Sequence, residues 1–216
     1  MTQFEKIVYF MKKPWVIGLY AILVVFTYIF IDKTVAAYFY QLDLRTDVAA
    51  LNVLTVFGKW IAYVVLFVAS GLYFRYIQVN PLYEGRSWFL LGCILVANLV
   101  CLVLKIVFGR ARPELLFISN EFGFYWFKLK SDFWSFPSGH TITVVSLAAG
   151  LGVLFSRYFY AIFTVALLIA SSRILLYYHY VSDVMTGFYV SVLAVGFFIQ
   201  YLRKNKCFDK KGCVVS

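Results

Sequence analysis

The chain has 216 residues, of which 63% are hydrophobic, 21% aromatic and 14% charged. A soluble domain carries about 25% charged residues, so this composition cannot cover a globular surface with polar groups, and a lipid bilayer is the natural solvent. The 20 Lys and Arg against 10 Asp and Glu leave a net charge of +10; most of the cations lie at the ends of apolar runs, where they set membrane orientation, and no separate basic patch remains for nucleic acid.

In chain order, six apolar segments are long enough to be read as spans, given that about 20 residues cross a bilayer. They are 14–31, 60–78, 88–108, 140–155, 158–176 and 184–202. Pro14, after Lys12 and Lys13, opens the first, which is longer than the apolar stretch of a secretory signal and is expected to be retained. The stretch from Asp32 to Phe57 mixes polar and apolar residues and reads as an outer loop with a surface-lying helix. Asn80, Pro81 and Gly85 break the chain before the third segment. The fourth is short and needs its polar flanks to span. With both termini inside, eleven of the 20 Lys and Arg fall on inner segments and nine outside. Four of the outer nine (Lys105, Arg110, Arg112 and Arg173) belong to polar groups discussed next, and without them the bias places both termini in the cytoplasm. The expected architecture is an all-α integral membrane protein, one six-transmembrane-helix bundle over residues 1–216 with an outer-face active site and a basic cytoplasmic tail over 203–216.

Three polar groups interrupt this apolar chain on the same side. The first is Lys105, Arg110, Arg112 and Pro113, at the outer end of the third segment. One such lysine could snorkel to the interface. Three cations within eight residues, on the side where positive charge is disfavoured, point to a multiply charged anion. The second is Pro137-Ser138-Gly139-His140, opening the fourth segment. Unpartnered first-turn N–H groups, a glycine without a side chain and the Ser138 hydroxyl make a phosphate seat at a helix start, with His140 beside it. In the third group, Ser172-Arg173 precedes His179 and Asp183. A carboxylate four residues from an imidazole on a helix can accept its Nδ1 proton and leave Nε2 as a nucleophile. Arg173 cannot share that face on one straight helix, which predicts a break near Tyr177–Tyr180, with Ser182 capping the sixth segment. The protein has two histidines, and each falls in one of these groups.

Lys-x6-Arg-Pro, Pro-Ser-Gly-His and Ser-Arg-x5-His-x3-Asp, over 105–113, 137–140 and 172–183, together resemble the type 2 phosphatidic acid phosphatase superfamily, with no departure at a fixed position. The resemblance implies metal-independent, cofactor-free hydrolysis of a phosphorylated membrane lipid through a phosphohistidine. It assigns nucleophilic attack to His179, its orientation to Asp183 and protonation of the leaving oxygen to His140. The phosphoryl oxygens fall to Lys105, Arg112, Ser138, Gly139 and Arg173. No carboxylate cluster of the kind Mg²⁺ prefers is present in the sequence. Soluble acid phosphatases and vanadium-dependent haloperoxidases share the pattern, but the apolar content argues against both. A transporter would carry its ionisable residues near mid-membrane, whereas these gather at one interface; a non-catalytic lipid-phosphate binder is the other alternative. Undecaprenyl pyrophosphate, phosphatidylglycerophosphate, phosphatidic acid and lipid A 1-phosphate are the family substrates in view, and a bacterial inner membrane is the expected location.

The aromatic run between Pro113 and Pro137 reads as an interfacial belt that also flanks the site. Cys93 and Cys101 read as apolar fillers, and Cys207 and Cys213 as free tail thiols. Cys213-Val-Val-Ser216 has the form of a prenylation box but is read as coincidence.

Overall fold

The computed structural model describes residues 2–205. Helix α1 (Gln3–Met11) is capped by Thr2 and Glu5 in a capping box, and a bend of 79° separates it from α2 (Pro14–Phe30). Then come α3 (Asp32–Leu42), α4 (Leu44–Asp47), α5 (Ala49–Val56) and α6 (Trp60–Tyr76). Helix α7 (Pro81–Phe108) starts where the Asn80 side chain accepts the Tyr83 N–H, with Pro81 in the first turn, and stops at Gly109, whose φ of 52° is left-handed. The chain continues through α8 (Pro113–Ile118), α9 (Gly139–Leu154), α10 (Phe159–Leu175) and α11 (Val181–Lys204). The described residues contain no β-strand, only an isolated bridge between Arg110 and Phe124.

Each of the six apolar segments is helical. Three helices, Pro81–Phe108, Ser156–Leu175 (α10 with the 3₁₀ turn before it) and Val181–Lys204, are long and apolar enough to cross a membrane, and the bent pair of α1 and α2 makes a fourth candidate. Helices α6 and α9 are apolar but shorter, at 17 and 16 residues. Large apolar side chains face outward on α2, α6, α7 and α10, among them Ile22, Val65, Leu99 and Leu168 at 60–70% exposure. Contiguous apolar surface of this kind needs a nonpolar medium.

Helix α9 is the axis of the bundle, packed against α7, α10, α11 and α1. Ten of its residues are buried, among them Ile142, Val145, Ala149 and Gly150. Small residues let the helices approach closely: a Cβ on Gly150 would lie 2.8 Å from Leu90, and one on Gly71 2.8 Å from Trp88. Cys93 and Cys101 are buried and unpaired, as expected of fillers. Cys207, Cys213 and most of the basic tail lie outside the described residues.

Two departures from the sequence reading have simple causes. Helix α1 was not anticipated because it is only nine residues long and amphipathic; it buries Phe4, Val8 and Met11 against the bundle. The region 32–57, read as one loop with one helix, holds three short helices, and Asp43 turns the first with a left-handed φ of 41°.

Candidate active site

Four segments converge: the end of α7 with the turn after it, the start of α9, the end of α10 and the break before α11. The break falls where expected, between Leu175 and Val181. Its cap does not. Tyr180 is the N-cap residue of α11, and its N–H donates to the Asp183 carboxylate at 2.9 Å. Ser182 lies inside the first turn with its N–H and hydroxyl both turned to Asp32. A carboxylate reaches back across a turn more easily than a serine can cap its own helix from within.

His179 is 4% exposed, two residues outside α11. Its Nδ1 lies 2.8 Å from the backbone carbonyl of Ser135 and 3.6 Å from Asp183 Oδ2. A carbonyl can only accept, so in the neutral ring Nδ1 carries the proton and Nε2 keeps its lone pair. The second distance is too long for a hydrogen bond; the Asp183 charge acts through space while Ser135 fixes the tautomer. Burial, with Arg112 and Lys105 nearby, brings the His179 pKa down to about 3 against the opposing pull of Asp183. The imidazole is therefore neutral near pH 7.

Asp183 is itself fully enclosed. Its Oδ2 accepts the Ser135 hydroxyl at 2.6 Å, and its Oδ1 accepts from Arg110. Arg110, 0% exposed, also donates to Asp32 at 2.7 Å and to the Ser182 hydroxyl at 2.7 Å. The rings of Tyr28 and Tyr180 cover its guanidinium at 4.9 and 4.3 Å. This corrects the reading of three cations gathered for one anion: two carboxylates enclose Arg110, which is closed to an external phosphate. Spacing alone could not separate it from Arg112, and Asp32, 150 residues from Ser182, had no local signal. Ser135 was missed because it acts through its backbone carbonyl as well as its hydroxyl.

Of the remaining cations, Lys105 and Arg112 are more open. Lys105 donates from Nζ to the Trp134 carbonyl at 2.6 Å, and it lies beside Gly139, where a Cβ would be 3.8 Å from Nζ. Arg112 is partly exposed and spends Nε on the Ser131 carbonyl at 3.1 Å. Arg173 is buried with its Nε unpartnered and its guanidinium 4.1 Å over the Tyr178 ring. Arg173, Lys105 and Arg112 place positive charge near His140.

Ser138 is the N-cap of α9; its Oγ accepts from the Thr141 N–H at 3.4 Å and from the Thr141 hydroxyl at 3.0 Å. Pro137 precedes the cap, after a cis peptide bond, and is not the first helical residue. The Ser138 N–H is committed to the Asp183 carbonyl at 3.1 Å, so the first-turn donors of α9 that remain for an anion are those of Gly139 and His140. His140 is partly exposed at the mouth, and the Gly58 backbone lies against its ring: a Cβ there would fall 2.2 Å from His140 Cδ2. All eight residues assigned from sequence thus gather in one region, with His179 buried and His140 partly exposed.

The aromatic run folds over the site. The Ala111 N–H donates to the Gly123 carbonyl and the Tyr125 N–H to that of Gly109, while Phe122 stacks on Tyr28 at 5.1 Å. Trp126 and Phe127 project outward at 55% and 69% exposure.

Among curated proteins, the chain is similar to a lipid A 1-phosphatase of Rhizobium johnstonii, 36% identical over 104 residues, which is 47% of this chain and 43% of that protein. A lipid A 1-phosphatase of Rhizobium etli is 36% identical over the same length, 45% of its own chain. A lipid A 4'-phosphatase of Porphyromonas gingivalis is 29% identical over 154 residues, 66% of this chain and 61% of that protein. The chain thus spans under half the length of the two Rhizobium relatives. The model of the PAP2 superfamily matches residues 86–207, more than half of the chain and all three polar groups, and the chain belongs to that superfamily.

Proposed function

We propose that the protein is a metal-independent lipid phosphate phosphatase working through a phosphohistidine. The observation that carries this reading is the His179 tautomer: with Nδ1–H held on the Ser135 carbonyl, Nε2 is an unprotonated nucleophile. In this mechanism Nε2 attacks phosphorus, and Lys105, Arg112 and Arg173, with the Ser138 hydroxyl and the Gly139 backbone, stabilise charge on the phosphoryl oxygens. His140 protonates the departing lipid oxygen, and water then releases phosphate from His179. Phosphoryl transfer asks a protein mainly for positioning and positive charge, and cationic side chains with backbone donors supply both. Asp183, held by Arg110 and Ser135, keeps a negative charge beside the imidazole as it becomes cationic.

The one-domain arrangement proposed is six spans, both termini cytoplasmic, with the site at the extracytoplasmic surface of a bacterial inner membrane. Helices at all six apolar segments support it, together with gathering of the charged site at one end of α7, α9 and α10. Of the four lipids considered, lipid A 1-phosphate is favoured by the activity named for the two Rhizobium relatives.

The test is phosphate release by purified protein in detergent across the four lipids, with and without EDTA. Release from at least one lipid, strongest from lipid A 1-phosphate and unchanged by chelation, is expected. No release from any, or activity lost to EDTA and restored by Mg²⁺, would overturn the reading.

A further inference from the structure

A groove of about 390 Å³ runs along the outside of the bundle between α9 and α10. Its α9 wall consists of Val144, Leu147, Ala148 and Leu151. These lie four, seven, eight and eleven residues after His140, so they continue the helix face that His140 heads. Buried Ala166 and exposed Val165 on α10 form the opposite side. Phe57 and Tyr63 also line the groove, and the Tyr63 hydroxyl donates to the Phe57 carbonyl at 2.7 Å. Gly58, the next residue, touches the His140 ring, so groove and site share a wall.

Resting on the phosphatase reading above, we propose that this groove seats an acyl chain of the lipid whose phosphate is cleaved. Three observations choose that occupant. The first α9 residue of the groove, Val144, lies one turn below His140, the residue placed against the leaving oxygen, which is the atom that joins phosphate to the rest of the lipid. From Val144 to Leu151 its α9 wall runs about 10 Å at 1.5 Å per residue, which fits within the roughly 15 Å depth of one leaflet in a 30 Å hydrocarbon core. Its lining is almost wholly apolar, and its volume lies within the roughly 300–1,000 Å³ of ligand sites. A headgroup held by Lys105, Arg112 and Arg173 at the interface then has its chain directed down α9, while its phosphorus faces His179.

The experiment fills the groove without entering the helix contact. Leu147→Trp and Val165→Trp each add bulk at its walls, and Leu167→Trp adds the same bulk on the opposite face of α10, at a side chain 46% exposed. Purified proteins are assayed on dioleoyl phosphatidic acid and on a dibutanoyl analogue with the same headgroup. The two groove variants should lose at least about tenfold in kcat/KM on the long-chain lipid, the lower end of what one methylene in an apolar pocket is worth. They should stay near wild type on the short-chain lipid, and Leu167→Trp should leave the ratio unchanged. Equal losses on both lipids, no loss on either, or an equal shift in Leu167→Trp would overturn the groove assignment. A wild-type protein that releases phosphate from neither of these, nor from the other three lipids named above, would overturn the phosphatase reading itself.

Discussion

In the proposed mechanism two imidazoles share the site, His179 attacking through Nε2 and His140 delivering a proton. His179 must be neutral to attack, and a pKa near 3 secures that over the physiological range. Because the folded value lies below the roughly 6.5 of an exposed histidine, the unfolded chain binds a proton that the native one refuses. This histidine's contribution to stability therefore falls as pH drops from about 6.5 toward 3. In ¹⁵N spectra, His179 should keep the Nδ1–H neutral tautomer from pH 7 down to about 5; an imidazolium signal at pH 6 would contradict the assignment. His140 has the other task. General acid catalysis is typically worth about 10²–10⁴, and a nitrophenolate departs without it. His140→Ala should therefore lose that factor on a lipid monophosphate and far less on p-nitrophenyl phosphate. Equal losses on the two substrates would make its role phosphate binding or structure. Both histidines were legible because they are the protein's entire complement and each sits in a spaced motif. Ser135 was illegible because a backbone carbonyl has no signature in a side-chain pattern.

Among the elements, the Arg110 cluster ties the turn after α7 to α3 and α11. Arg110, Asp32 and Asp183 all have side chains at 0% exposure, and Ser182 joins them. Removing one partner of a buried ion pair costs about 3–5 kcal/mol, because the remaining charge is left unpaired. Arg110→Met leaves two such carboxylates and should lower unfolding stability in detergent by at least that range. Adding Asp32→Asn should recover part of the loss, since the two residues are in contact and their effects are coupled. A thermal unfolding curve of Arg110→Met matching wild type would contradict the role assigned to the cluster. This cluster also marks the limit of pattern reading: local spacing located α7, α9 and the break before α11, but the pairing of Asp32 with Arg110 exists only once the chain has folded back on itself.

At the scale of the whole molecule, the apolar segments read from the sequence are the helices of the bundle, because hydrophobic length is a local property. Helix α9 shows why length alone is an incomplete guide: at 16 residues it is short for a span, yet it forms the centre of the core and carries the proposed phosphate seat at its start. Burial among α7, α10 and α11 replaces the lipid contact that a peripheral span would need. The charged groups gather where α7 and α10 end and α9 and α11 begin, so the bundle brings His140 and His179 to one region although they are 39 positions apart in the chain. The covalent step is the most direct point of attack on the proposed mechanism. Purified protein incubated briefly with lipid labelled at the phosphate, quenched in alkali and digested, should yield a phosphohistidine at position 179, absent from His179→Ala. Wild-type protein that turns over the lipid without trapping label, or a His179→Ala protein that still turns over, would contradict it.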